Sequence, residues 1–201
     1  MEKCILVRGK PGSGKTSLAQ EIAKKENIRI IDSGEVDKTS KEYQHFKPIR
    51  NRNPTDQVKK YSFLFHKARE HLENKGTILW CQPWSRMSEI MVTLQNFAYH
   101  FGETHSKTWE LNPKELLETL PFALVIIELE ISDKNSIERI QKRKKVPSEK
   151  INKYKKFNRM YQELVFPIKT LKLSALDTVE VNSNLANDFV KSLNQPPHPK
   201  R

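Results

Sequence analysis

Residues 9 to 16 read Gly-Lys-Pro-Gly-Ser-Gly-Lys-Thr. Glycines at Gly9, Gly12 and Gly14 let the backbone turn its N–H groups inward, and consecutive amides at the start of a helix form a nest for an anion. In the pattern G-x-x-x-x-G-K-[ST] the amides cradle phosphates, the lysine reaches the β- and γ-phosphates, and the final hydroxyl ligates Mg²⁺. Gly9, Lys10, Pro11, Gly12, Ser13, Gly14, Lys15, Thr16 and Ser17 are therefore expected to hold the triphosphate of ATP. Magnesium is the expected companion ion.

Moving a terminal phosphoryl group is chiefly charge neutralisation and positioning, so cations must close over it. Arg139 and Arg143 lie four apart and share a helix face. From Arg139 to Arg159 there are ten lysines and arginines against one acid, Glu149, which suggests a basic lid over about residues 139–159. If the acceptor is an alcohol, a carboxylate beside the attacking oxygen takes its proton, whereas an ionised acceptor phosphate needs no base. Asp32, ending an apolar run, is the candidate base or Mg²⁺ organiser, with Glu35 and Asp37 as alternatives. Gln82, Trp84 and Arg86, following another apolar run, are placed to read an acceptor by amide hydrogen bonds, stacking and charge. Arg50 sits with Tyr43, His45 and Arg52 in a long aperiodic segment that could add to acceptor recognition.

Positioning these residues requires alternating elements. Cys4 to Val7, Ile28 to Ile31, Thr77 to Cys81, Leu124 to Ile131 and Thr178 to Val181 read as five strands. Between them, Leu18, Ala19, Ile22 and Ala23 mark one helix. Val58, Tyr61, Phe65, Ala68 and Leu72 mark a second. A third, capped by Ser85, carries Met87, Ile90, Met91, Leu94, Ala98 and Phe101. Ser132 or Asp133 caps a helix carrying Ile137 and Ile140. Ile151, Tyr154, Phe157, Tyr161 and Leu164 mark another after Pro147, with their aromatic rings expected in the core. Ala186 to Leu193 gives the last. The fold class implied is α/β, a three-layer sandwich with a five-stranded, mostly parallel sheet. One domain over 1–194 is expected, with a Pro-rich basic tail, 195–201, expected to be disordered. Lys38 to Asp56 and Gly102 to Pro113 read as long loops of the kind that serve as binding lids.

With these motifs in place, the chain resembles the P-loop NTPases and, within them, the small P-loop kinases. Leu129-Glu130-Ile131-Ser132-Asp133, running into Ile137-Glu138-Arg139-Ile140-Gln141-Lys142-Arg143, is similar to the lid segment of thymidylate and deoxynucleoside kinases. Ile31-Asp32-Ser33-Gly34-Glu35-Val36-Asp37 is similar to the zeta-toxin and adenylyl-sulfate kinase type, where an acid faces the acceptor hydroxyl. The resemblance implies a Walker-B acid or a D-R-Y/E-R-S motif after Ile78-Leu79-Trp80, but Cys81-Gln82-Pro83-Trp84-Ser85-Arg86 stands there. Metal is then left to Thr16, water and Asp32 or Glu130.

Across 201 residues, Lys plus Arg number 36 and Asp plus Glu 24, a net charge of +12 that favours anionic partners. No apolar run approaches the roughly 18 residues of a membrane span, and no long apolar leader follows Met1. Cys4 and Cys81 are too few for a disulfide framework and read as buried thiols in a reducing, cytoplasmic setting. Neither they nor the six histidines have zinc-site spacing. No N-K-x-D guanine-reading motif occurs, which argues against a signalling GTPase. The expected function is transfer of the ATP γ-phosphate to a hydroxyl of a small metabolite or nucleoside-like acceptor. A nucleoside monophosphate kinase, a kinase of RNA or DNA 5′-hydroxyls and a non-enzymatic nucleotide-dependent switch are the alternatives, with nucleic acid a possible but not favoured partner.

Overall fold

Strand β1, Lys3–Gly9, is buried along its whole length, and period-two alternation divides its side chains between two cores. Cys4 and Leu6 face one, Ile5 and Val7 the other. A strand buried on both faces is largely apolar, here Cys4 to Val7, and needs neighbours on both edges. In the computed structural model of the chain these are β3 and β4, in a five-stranded sheet of order β2-β3-β1-β4-β5. Every pairing is parallel, so the sheet is wholly rather than mostly parallel. The structure describes residues 2–34, 36–48, 55–102, 108–144 and 148–193.

The other strands are β2 (Arg29–Asp32), β3 (Ile78–Cys81), β4 (Ala123–Glu130) and β5 (Lys169–Ser174), and the helices are α1 (Lys15–Glu26), α2 (Lys41–His45), α3 (Asp56–Glu73), α4 (Met87–Phe101), α5 (Pro113–Glu118), α6 (Asp133–Lys144), α7 (Ser148–Arg159) and α8 (Val179–Ser192). Helices α3 and α4 cover the face bearing Leu6, Trp80 and Ile126. Helices α1 and α8 cover the face bearing Val7, Leu79 and Ile127. Register pairs Val7 with Cys81 and with Ile127, and Cys81 with Asp32. The ends of β1, β2, β3 and β4 therefore lie together, the position where open parallel sheets bind ligands.

Five sequence expectations change. The fifth strand is Lys169–Ser174, not Thr178 to Val181. It lies at the sheet edge, where exposed Lys169 and Lys172 interrupt the run and blur the apolar signal. Thr178 instead caps α8, its hydroxyl accepting from the Val181 N–H at 3.3 Å. Helix α7 stops at Arg159, so Tyr161 and Leu164 lie beyond it. At the start of α4 the cap position belongs to Arg86, whose N–H donates to Glu89 at 3.4 Å, rather than to Ser85. On α3, Val58 and Tyr61 are exposed while Phe63 and Leu64 join the core. The long segment after β2 also contains α2, capped by Ser40. Glu35, Arg50, Arg52, part of the lid segment (145–147) and the tail lie outside the described residues. Among the described residues no helix is long and apolar enough to cross a membrane.

Candidate active site

The turn from β1 into α1 uses left-handed backbone that only glycine adopts cheaply. Gly14, at φ 97°, occupies the position preceding α1. Gly12, at φ 77°, answers a second demand, because a Cβ there would lie 2.9 Å from the Ser136 carbonyl and 3.2 Å from Ile140. Helix α6 is thus packed directly on the phosphate loop. Ser136 donates its hydroxyl to the Pro11 carbonyl at 2.7 Å, Asn158 of α7 donates to Ser136 at 3.1 Å, and Lys10 pairs with Asp133 at 2.6 Å.

The Lys15 ammonium donates to the Gly9 carbonyl at 2.8 Å and to the Lys10 carbonyl at 3.0 Å. Burial draws its pKa down to about 8, an effect offset in part by Cys81 and Asp32 nearby. The Ser13 hydroxyl is buried with no hydrogen-bond partner. A buried ammonium answered only by carbonyls of its own loop, beside an orphaned hydroxyl, fits a site shaped for an anion. The free protein loses the Lys15 proton as pH rises through about 8, and the ammonium is the form that attracts phosphate. Affinity for Mg·ATP should therefore hold at neutral pH and weaken above about pH 8, by up to about tenfold per pH unit. Calorimetry across that range checks this; an unchanged Kd would mean that Lys15 stays charged throughout.

Thr16 donates its hydroxyl to Asp32 Oδ2 at 2.8 Å, while the Gly34 N–H donates to Asp32 Oδ1 at 2.6 Å. The hydroxyl and carboxylate expected to hold magnesium are thus adjacent. Among the described residues no cluster of three or more His, Cys, Asp or Glu side chains is arranged for a metal. Two hard oxygen donors do match Mg²⁺, which keeps several waters and takes its remaining ligands from phosphates. Glu130 points elsewhere, pairing with Lys172 at 3.2 Å. Asp37 is engaged by Thr39, whose hydroxyl and N–H donate to it at 2.7 and 2.8 Å and hold its carboxyl below the usual range. Cys81, where an acid was expected, lies beside the loop with its thiol 3.8 Å from the Lys15 carbonyl. The nearest strand-end acid is Asp32, one strand over and in register with Cys81.

Arg143 and Tyr154 close a cleft of about 230 Å³ with Gly12, Lys15 and Thr16. A neighbouring cavity of about 400 Å³ is lined by Ser13, Arg139, Arg143, Asp177 and Asn182. Both arginines of α6 therefore reach the rim of the phosphate loop. Gln82 is anchored at its root, its N–H donating to the Val7 carbonyl at 3.4 Å, and the Gly9 N–H donates to the Pro83 carbonyl at 3.5 Å. Gln82 and Trp84 line a further cavity between α3 and α4. Arg86 does not line it; its guanidinium lies exposed, 3.7 Å from the Met160 sulfur.

Sequence reasoning missed a buried network. Arg8, fully buried, lies in register with Glu128 and 3.6 Å from its carboxylate. Its guanidinium stacks 4.5 Å from the Tyr161 ring centre and donates to the Gln162 carbonyl at 2.7 Å. Tyr161, expected in the apolar core, donates its hydroxyl to Glu128 at 2.7 Å, and burial raises its pKa. Gln162 in turn donates its N–H to the Ser85 carbonyl at 2.8 Å and accepts from the Met87 N–H at 2.7 Å. The chain leaving α7 is thereby tied to β1, β4 and the start of α4. The legible signal was a pair of opposite charges, Arg8 and Glu128, within two otherwise apolar strands.

The geometry agrees with comparisons to known proteins. A family model described as an AAA domain matches residues 4–164. A gluconokinase from Sinorhizobium meliloti 1021 superposes with TM-score 0.59 at 16% identity, over 95% of this chain and 93% of that one. A sugar kinase from Janibacter sp. HTCC2649 gives 0.54 at 16% identity, over 95% of each. Deoxyadenosine kinase from M. mycoides gives 0.53 at 19% identity, over 95% of this chain and all of that one. Comparison with curated proteins gives no match. With its phosphate loop, all-parallel sheet and matching family model, the chain belongs to the AAA-domain family of P-loop NTPases and has the fold of small P-loop kinases.

Proposed function

We propose that this protein is an ATP-dependent kinase that transfers the γ-phosphate to a hydroxyl of a small metabolite or nucleoside-like acceptor. The observation that carries the reading is Asp32, whose carboxylate sits 2.8 Å from the Thr16 hydroxyl at the rim of the phosphate loop. That position serves both an ion bound through Thr16 and a hydroxyl approaching the terminal phosphate. Magnesium, held by Thr16 and Asp32, supplies charge neutralisation on the phosphate oxygens. Residues 9–17 bind the triphosphate, with Lys15 meeting its terminal oxygens. Gln82 and Trp84 contact the acceptor. Asp32 organises the ion and receives the acceptor proton.

Arg139 and Arg143, carried by α6 over the loop, neutralise charge on the phosphoryl group in flight. An interaction made mainly in the transition state affects kcat more than ground-state binding. Arg143→Ala should therefore lower kcat about 10²-fold or more while weakening ATP binding far less, as read by paired kinetics and calorimetry. Equal losses in both would make Arg143 a simple nucleotide-binding residue. The reading as a whole is tested by incubating the protein with Mg·ATP labelled at the γ-phosphate and a panel of nucleosides and sugars. Failure to bind Mg·ATP, or ATP binding without transfer to any hydroxyl, overturns it.

A further inference from the structure

The cavity between α3 and α4 measures about 690 Å³, within the range of small-molecule sites. It opens beside the carboxyl end of β3, where Gln82 joins the root of the phosphate loop. Its walls are aromatic, among them Phe46, Tyr61, Phe65, Trp80, Trp84 and Tyr99. Three polar atoms of the lining residues are buried without hydrogen-bond partners, Arg69 Nε, Gln82 Oε1 and Trp80 Nε1, the last two on residues only 7% and 2% exposed. Leaving such groups unanswered is costly, and Gln82 Oε1 and Trp80 Nε1 offer an acceptor and a donor within a ring-lined slot.

Two further features indicate that the cavity is built for an occupant. Trp84 holds a left-handed backbone, φ 47°, an outlier for so bulky a residue. Its ring is fixed edge-on to Trp80 at 5.1 Å, and its indole N–H donates to the Trp80 carbonyl at 3.4 Å. On the opposite walls, Val58, Tyr61 and Val92 are apolar yet exposed. The first half of the apolar stripe of α3, Val58, Tyr61 and Phe65, thus lines the cavity, while Ala68 and Leu72 seal against the core.

Charge narrows the class of occupant. Arg69 pairs with Glu73 at 3.2 Å, His66 lies 3.4 Å from Glu70, and Glu89 accepts from the Arg86 N–H at 3.4 Å. The charge of Arg69 is thus balanced by Glu73, which disfavours a second carboxylate or phosphate inside the cavity, while its Nε still lacks a hydrogen-bond partner. The acid-lined groove along the outer edge of β2, bordered by Asp37, Glu42 and Glu70, offers no comparable aromatic wall.

Resting on the kinase reading above, we infer that the acceptor is a neutral nucleoside whose base lies among these rings, its polar edge read by Gln82 and Trp80. The sugar hydroxyl oxygen then attacks the γ-phosphorus as the bond from that phosphorus to the β–γ bridging oxygen breaks. The hydroxyl proton passes to Asp32, and ADP leaves with the bridging oxygen.

Calorimetry and tryptophan fluorescence with adenosine, cytidine and guanosine, without ATP, test the pocket separately from the chemistry. At least one of them should bind, with quenching of Trp80 and Trp84, while D-gluconate and glucose should not. The bound nucleoside should also be the phosphorylated one when Mg·ATP is added. Gln82→Leu should raise its KM about 10- to 100-fold by removing one buried partner. Val92→Trp, placed at the exposed mouth, should block nucleoside binding without disturbing the core, which covers the case of Gln82→Leu failing to fold. ATP-dependent phosphorylation of gluconate, glucose or a nucleoside monophosphate with no nucleoside bound or phosphorylated would overturn the nucleoside assignment and leave the kinase reading standing. Nucleoside binding without phosphate transfer would remove the kinase reading and, with it, the acceptor role inferred here, leaving only a nucleoside-binding pocket.

Discussion

Replacing Lys15 with alanine should lower phosphate transfer by about 10²–10³-fold, the usual cost of removing one preorganised charge from a transition state, and leave the protein folded. The fold contributes little to holding this side chain. Its ammonium donates to the carbonyls of Gly9 and Lys10, within its own loop. Burial disfavours the charged form, drawing the pKa from 10.5 to about 8. A lysine whose pKa is lowered on folding costs stability when charged, because the unfolded chain holds the proton more tightly. At neutral pH the alanine variant should accordingly melt no lower than the parent. Unaltered circular dichroism and melting temperature with lost transfer would locate the defect in the chemistry. Full transfer by the variant would exclude Lys15 from any role in it.

Asp32→Asn should lower kcat by about 10²-fold or more with little change in ATP affinity. Asparagine is a near-isostere and can still accept the Gly34 N–H that Asp32 Oδ1 accepts at 2.6 Å, so the turn after β2 survives. What disappears is the negative charge beside Thr16. Loss of that charge should raise the magnesium concentration needed for half-maximal rate and remove the group that takes the acceptor proton. A rise in the magnesium requirement separates the metal role from the proton role, since a pure base leaves that requirement unmoved. Wild-type rates across magnesium concentrations and pH would eliminate both.

How much of this was readable along the chain depends on how local each interaction is. Residues 9–17 were legible because a phosphate nest is made by consecutive backbone amides, so its glycine spacing is written contiguously. The strand containing Cys4 to Val7 and the one containing Leu124 to Ile131 were legible for a related reason. Burial on both faces demands unbroken apolar runs. Strand β5 was missed because an edge strand tolerates Lys169 and Lys172, and the β-branched residues Thr178, Val179 and Val181 mimic a strand while serving as the cap and first turn of α8.

The amino-acid order alone determined the phosphate loop, the α/β alternation and the two arginines of α6, since each follows from spacing within one element. Tertiary structure decided what lies across elements. It placed Asp32 beside Thr16, joined Arg8 to Glu128 and Tyr161, and turned Val58 and Tyr61 away from the core toward a cavity. The physical reason is that pairing register and helix rotation are set by the packing of the whole sheet and its covering helices. Residues far apart in the chain meet only when that packing is complete.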